Sequence, residues 1–447
     1  MDGGIPTTAP ADESHPQADG GQDFSDQARQ AGLVLPTPRK ARPVLALLIV
    51  AVVIFTSLGV GWETGWLNPA AHPQDSINCN GVSIRLWGGV SESPAPVAAL
   101  MNSLGSEFAN TTTGCGNIDV QYNATAGDGS LAALASRSVD FSVVSELPNQ
   151  TDLAAFPALT LITPVAVGGL ELVVNLPNVS GPVNLSSAAL AGIYLGTITS
   201  WNDPMVTRMN PGLAALTNST IHPLFLTGST GLTDALSTYL AETNATWSST
   251  MGKGPSLNWR TGEGLASDSA MARNLSSTPG AIGYLEQGTA IGQGMKVAQV
   301  ENSNGSYLVP TPGSISTAVQ SALLGLPAAQ LTLLANGTWA NVSVVNAPGA
   351  GSYPIPVLSY LVVYGDLGQV YGAGLSGLDA RMVSVLIWWM VSSGQSYATG
   401  VGLPALPSML TQYGEHGLSE LSYDGQPLYP ISNGEGGEGN GNETNEF

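Results

Sequence analysis

Three short runs of glycine, serine and threonine hold the residues of this chain best suited to chemistry. They are Gly88-Gly89-Val90-Ser91-Glu92-Ser93-Pro94, Thr125-Ala126-Gly127-Asp128-Gly129-Ser130 and Thr227-Gly228-Ser229-Thr230-Gly231. Each follows an apolar run and precedes a segment of helical period. At the start of a helix the unpaired backbone N–H groups and the helix dipole attract an anion, and glycine lets a ligand approach the backbone. Pro94 suits the first helical position, where its missing N–H costs nothing. Ordinary helix capping explains any one such run by itself. Glu92, Asp128 and Glu146 place carboxylates in or near the same runs. Catalytic chemistry has no matching pattern: His15, His72, His222 and His416 show neither metal nor nucleophile–base spacing, and Gly228-Ser229-Thr230-Gly231 is not a G-x-S-x-G elbow. No paired-cysteine spacing suggests zinc, and neither a metal nor a cofactor is expected.

The elements that must carry these runs read as an α/β chain, because apolar runs of strand length alternate with helix-period segments. The pattern predicts strands at Val82–Trp87, Ile118–Tyr122, Phe141–Val144, Glu171–Asn175, Ile221–Leu226 and Val357–Val363. It predicts helices near Ala95–Phe108, Leu131–Ser136, Ser187–Leu195, Leu232–Ala241, Asp268–Asn274 and Ala380–Ser393. The last helix contains Leu386, Ile387, Trp388 and Trp389, but Arg381 and Ser392 bound its apolar run. That run is too short to span a bilayer, so it is expected to pack in a core.

Acidic residues outnumber basic ones 32 to 12 in the 447-residue chain, for a formal net charge of -20. That balance excludes wrapping of nucleic acid, which needs clustered Lys and Arg to neutralise phosphates. The basic cluster Arg39, Lys40 and Arg42 directly precedes Pro43–Trp62, an uncharged apolar run long enough to cross a bilayer. A cleaved signal peptide has a shorter apolar region and no long polar tail before it, so residues 43–62 are expected to be a transmembrane signal anchor. The positive flank then keeps residues 1–42 as a disordered cytoplasmic tail and puts the remainder outside the cell membrane. Residues 63–76 read as a linker and 433–447 as a disordered acidic tail. All Asn-x-Ser/Thr acceptors, at Asn110, Asn123, Asn149, Asn178, Asn184, Asn218, Asn244, Asn274, Asn304, Asn336, Asn341 and Asn442, lie beyond the anchor, which favours a glycosylated extracellular domain. The two cysteines, Cys79 and Cys115, each precede a predicted strand, and adjacent parallel strands would bring them together. A disulfide is expected; two buried free thiols are the alternative.

The stretch GIYLGTITSWNDPMVTRMNPGL at Gly192–Leu213 and PGAIGYLE at Pro279–Glu286, with GPSLNW at Gly254–Trp259 and WWMVSSGQSYATGVGLPALP at Trp388–Pro407, carry a resemblance. Together they resemble the extracytoplasmic phosphate-binding proteins that serve an ABC importer, over roughly residues 77–430. The resemblance implies a two-lobed periplasmic-binding-protein (type II) fold with two crossing strands. It would place the first lobe at 77–172 plus 350–432 and the second at 173–349, with Gly168, Gly169 and Leu170–Asn175 as the first crossing. It implies a ligand site of Ser91, Glu92, Ser93, Gly127, Asp128, Gly129, Ser130, Glu146, Ser229, Thr230 and Gly231. Phosphate or another small solute and ABC permease subunits are the implied partners.

This chain departs from the family pattern in those loops. Glu92-Ser93 stands where the family has Thr-Phe, Gly127-Asp128-Gly129-Ser130 replaces a Gly-Ser-Ser-Gly-Gly run, and Glu146 replaces an aspartate. Aligned without gaps through Thr238–Leu240, Leu226 occupies the position of the family arginine. An arginine would contribute charge-assisted hydrogen bonds of roughly 1.5–3 kcal/mol each. Two readings are therefore open: a membrane-anchored solute-binding protein, or a structural or interaction protein of the cell envelope that keeps the fold without the phosphate chemistry.

Overall fold

The computed structural model describes Cys79 and residues 83–91, 95–112, 115–125, 129–217, 220–326, 339 and 342–428. The expected anchor at 43–62, both tails and the linker lie outside the described residues. Among those that are described, no helix is long and apolar enough to cross a membrane.

Strand β1 (Ile84–Ser91) is followed by helix α1 (Ala95–Thr111), then β2 (Ile118–Thr125) and the short α2 (Gly129–Ala135). Next come β3 (Phe141–Val144) and the long β4 (Thr160–Val174). Beyond β4 lie α3 (Ser187–Leu195), β5 (His222–Leu226), α4 (Gly231–Thr243), β6 (Glu263–Leu265), α5 (Asp268–Ser277), β7 (Ala281–Glu286) and β8 (Lys296–Val297). The chain continues through α6 (Pro312–Leu324), β9 (Pro356–Tyr364), α7 (Gly377–Val391) and α8 (Ser408–Leu418).

These strands form a nine-stranded sheet in the order β2-β1-β3-β9-β4-β7-β5-β6, with β8 pairing off β4. Strands β1, β2 and β3 run parallel, as do β5, β6 and β7; β9 and β4 run antiparallel to their neighbours. Strand β4 belongs to both halves of the sheet, since Thr160–Gly169 pair with β9 and Leu170–Val174 pair with β7. The register places the carboxyl ends of the two halves near each other. Val144, ending β3, lies opposite Tyr360, which lies opposite Pro164, while Glu286, ending β7, lies opposite Leu170. Both sets of strand ends therefore meet around the middle of β4, the kind of crevice where open α/β sheets bind ligands.

Predicted and observed elements differ most at β4. The pattern predicts a strand only at Glu171–Asn175, whereas β4 begins at Thr160 and runs through Pro164 and the pair Gly168-Gly169. In the fold Pro164 is tolerated where the register against β9 shifts, between Ser359 and Tyr360, since a bulge removes the need for its N–H in the ladder. The first glycine run also differs from expectation: Gly88 to Ser91 continue β1 rather than forming a loop. Gly88 is there for packing, because a Cβ would stand 2.8 Å from the Phe141 and Tyr122 rings on the two neighbouring strands.

Cys79 and Cys115 form a disulfide, with their Cα atoms 4.5 Å apart. The parallel register Ile84↔Ile118 brings the two strand starts together as expected. Leu386, Ile387, Trp388 and Trp389 are buried in α7, which begins in a Ser376–Asp379 capping box. In the second half, the Trp259 ring stacks on Phe225 at 5.0 Å and meets Tyr194 at 5.2 Å. The Trp201 indole N–H donates to the Gly280 carbonyl at 3.0 Å.

Candidate functional site

The turns after β3 and β5 build the crevice. After β5, Thr227 N–H donates to the Leu265 carbonyl at 2.9 Å, and Gly228 takes a left-handed φ of +84° that turns the chain toward α4. Thr230 caps α4, its side chain accepting from Thr233 N–H at 3.1 Å. Asp234 in the first turn complements the helix dipole. Burial pushes its carboxyl above the ordinary value, with Lys253 opposing the shift. A hydroxyl relay fixes this turn from below. Leu226 N–H donates to Tyr284 Oη at 3.0 Å, Tyr284 Oη and Thr233 Oγ1 are 2.8 Å apart, and Thr230 Oγ1 donates to Thr233 Oγ1 at 2.9 Å.

The turn after β3 closes directly on this helix start. Gly231 is buried against Ser145, and a Cβ on the glycine would stand 2.5 Å from the Ser145 Cβ and collide with its carbonyl oxygen. Ser145 Oγ lies 3.3 Å from Ser359 Oγ of β9. Glu146, the next residue, is half-buried beside this contact.

A second group lies in the first half of the sheet. Ser130 at the start of α2 is fully buried, its Oγ has no hydrogen-bond partner, and its carbonyl accepts from Ser142 Oγ at 2.5 Å. Gly89 lies against both serines: a Cβ there would be 2.8 Å from Ser142 Oγ and 3.3 Å from the Ser130 carbonyl. The two groups are linked through β3, which carries Ser142 and ends one residue before Ser145.

The expected site residues thus divide. Ser130 joins the group around Gly89 and Ser142, Gly129 opens α2 beside it, and Glu146, Ser229, Thr230 and Gly231 lie at the contact between the β3 turn and α4. The backbone of Ser91 ends β1. Glu92, Ser93, Gly127 and Asp128 lie outside the described residues. Leu226 is buried at 2% exposure within β5, so the position matched to the family arginine faces the core. Pattern reading missed Ser142, Ser145, Ser359, Thr233 and Tyr284. The signal available for the first two was a pair of serines inside the otherwise apolar run FSVVS at Phe141–Ser145. Among the described residues no group of three or more His, Cys, Asp or Glu is placed to hold a metal ion.

The PBP superfamily domain matches residues 90–393, and the chain belongs to that superfamily of non-catalytic solute-binding proteins. It is 28% identical over 297 residues to the phosphate-binding protein PstS of Haemophilus influenzae, covering 65% of this chain and 81% of that protein. The PstS of Pasteurella multocida is 29% identical over 301 residues, covering 66% and 80%. The solved phosphate-binding protein from Stenotrophomonas maltophilia shares the fold with a TM-score of 0.54 at 14% identity, over 74% of this chain and 93% of that one.

Proposed function

We propose that the chain is an extracytoplasmic solute-binding protein of an ABC importer, anchored in the cell membrane by residues 43–62, that binds phosphate or a related small ligand between two lobes. In this reading residues 77–172 plus 350–432 form one lobe and 173–349 the other. Glu146 and Ser130 serve from the first lobe, and Ser229, Thr230 and Gly231 from the second. Ser91, Glu92, Ser93, Gly127, Asp128 and Gly129 complete the first-lobe contacts. The observation that carries it is the convergence of the β3 turn on the capped start of α4, at the middle of the shared strand β4. A helix start supplies unpaired N–H groups to an oxyanion, and lobe closure is favoured only as far as the solute binds the closed state better.

The recognition chemistry is hydrogen-bonding rather than cationic, because Leu226 points into the core and the loop residues supply carboxylates. Protonation of Glu92, Asp128 or Glu146 removes repulsion and creates donors, so binding strengthens as pH falls. The same burial of Leu226 favours the second reading, an envelope protein that keeps the fold without binding phosphate. Titration calorimetry of the Thr230→Val variant tests the site. Loss of the cap costs the helix about 1 kcal/mol, and phosphate affinity should fall with it. A folded variant with the affinity of the parent removes this helix start from the site.

A further inference from the structure

Glu286 ends β7 at 1% exposure, and neither of its carboxyl oxygens has a hydrogen-bond partner. It lies at the point where β4 changes partners: its register neighbour is Leu170, and Gln287 N–H donates to the Gly169 carbonyl at 2.8 Å. Its Oε1 packs against Gly168, where a Cβ would displace the carboxyl, and Leu403 covers the same spot at 3.2 Å from where that Cβ would stand. Leu403 belongs to the other half of the molecule, in a segment tied to the first-half end of β4 by Gln395, whose Nε2 donates to the Val165 carbonyl at 3.0 Å. Leu406 N–H donates to Gln395 Oε1 at 3.0 Å. The cover and the carboxyl thus meet over the same face of Gly168, one from each half of the molecule.

The charged groups acting on Glu286 are both acidic. Glu171, on β4, accepts from Gly288 N–H at 3.0 Å and Ala290 N–H at 2.8 Å, and Asp268 approaches from the first turn of α5. Tyr284 lies two residues earlier on the same strand β7, and Tyr353 donates its hydroxyl to the carbonyl of Leu170, the register neighbour of Glu286. Leu403 presents apolar surface there. Of the two glutamates, Glu171 has donors for a negative charge and Glu286 has none.

We propose that Glu286 is a proton-operated latch at the strand crossing: as the neutral acid it stays buried beneath Gly168 and Leu403 and holds the two halves together, and when ionised it drives them apart to reach water. Desolvation, then Asp268 and Glu171, hold its carboxyl well above the ordinary value. A group whose affinity for protons is raised in the closed form favours that form at lower pH, and the preference is lost as pH rises through the raised value. The latch rests on the two-lobed reading above but not on phosphate being the solute.

The test uses the full chain without solute, spin-labelled at Ser106→Cys on α1 and Ser249→Cys in the second half, both exposed. The pulsed dipolar distance should lengthen as pH rises, with a midpoint above the ordinary carboxylate range, and Glu286→Gln should hold the short distance throughout. An unchanging distance in the parent, or a Glu286→Gln variant that titrates like it, overturns the latch. Infrared spectroscopy supplies a readout on the parent alone: a protonated-carboxyl C=O band at about pH 7 is expected, and its absence from the folded parent also overturns the proposal. Because no phosphate is present, failure of phosphate binding leaves this outcome unaffected.

Discussion

Gly231 opens α4 in direct contact with the carbonyl of Ser145, a contact that joins the turn after β3 to a helix start on the far side of β4. Any side chain at 231 meets backbone, which cannot rotate away as the end of a flexible side chain could. Gly231→Ala should therefore push the turn and the helix apart, destabilising the fold by about 1–3 kcal/mol and weakening solute binding at least tenfold. Thermal unfolding together with calorimetric titration reads both effects. Parent-like affinity in this variant would separate the contact from the solute site.

How far the sequence was legible depends on which residues carried the pattern. The motifs behind the family resemblance are scaffold: Trp201 of the first block donates to Gly280 of the second, and Trp259 is part of an aromatic cluster with Phe225 and Tyr194. Their pattern reflects core packing, so it survives while the binding loops change. Strand β3 and helix α3 have the predicted ends, and α3 keeps Gly192 in its interior because a Cβ there would stand 2.6 Å from the Ile198 side chain. Strand β4 extends beyond the predicted Glu171–Asn175 through Pro164 and Gly168-Gly169, residue types that interrupt a strand pattern, and the partner strand shows that Pro164 sits at a register shift. Glu286 was visible as the last letter of a motif, but nothing local shows that its carboxyl is sealed without a partner. That depends on Leu403, far away in the chain.

Asp140 offers a stability test by pH. It is buried, accepts from Trp87 N–H at 2.8 Å, and is pushed up to about 6 by desolvation, opposed by that hydrogen bond and assisted by Asp379. A raised carboxyl binds its proton more tightly in the fold than in the unfolded chain, so stability is highest at low pH and falls between about 4 and about 6. The loss attributable to this group is on the order of 3 kcal/mol. Asp140→Asn should remove that component of the slope in chemical denaturation at several pH values. An unchanged slope would assign it to other groups.

The bridge between Cys79 and Cys115 closes a loop with a sequence separation of 36. In the chain-entropy picture a loop of that length stabilises the fold by roughly 3–4 kcal/mol. Cys79→Ser paired with Cys115→Ser should lower the denaturant midpoint, with an m-value above that of the parent because the unbridged unfolded chain exposes more surface. A midpoint equal to the parent's would mean that the bridge adds nothing.

Glycan occupancy tests which side of the membrane the domain faces. Asn110, Asn123 and Asn178 are exposed, whereas the Asn274 amide donates to the Ala270 carbonyl at 3.0 Å, Asn304 Oδ1 accepts from Gly349 N–H at 3.2 Å, and Asn149 and Asn244 cap helices. Glycopeptide mapping of the native protein should find sugar on members of the first set in preference to the second. A chain isolated from its own membrane with all of these positions bare would count against glycosylation of an extracellular domain.

The central claim is that a solute closes the crevice through hydrogen bonds from a helix start and protonated carboxyls, without an arginine. Equilibrium dialysis of the full chain against labelled phosphate, from about pH 7 down to about pH 4 where carboxyls take up protons, addresses it most directly. Saturable binding of one phosphate per chain is expected, at least tenfold tighter at the acidic end. Absence of binding at every pH by the folded protein would contradict the claim, and would leave the envelope-protein reading in its place.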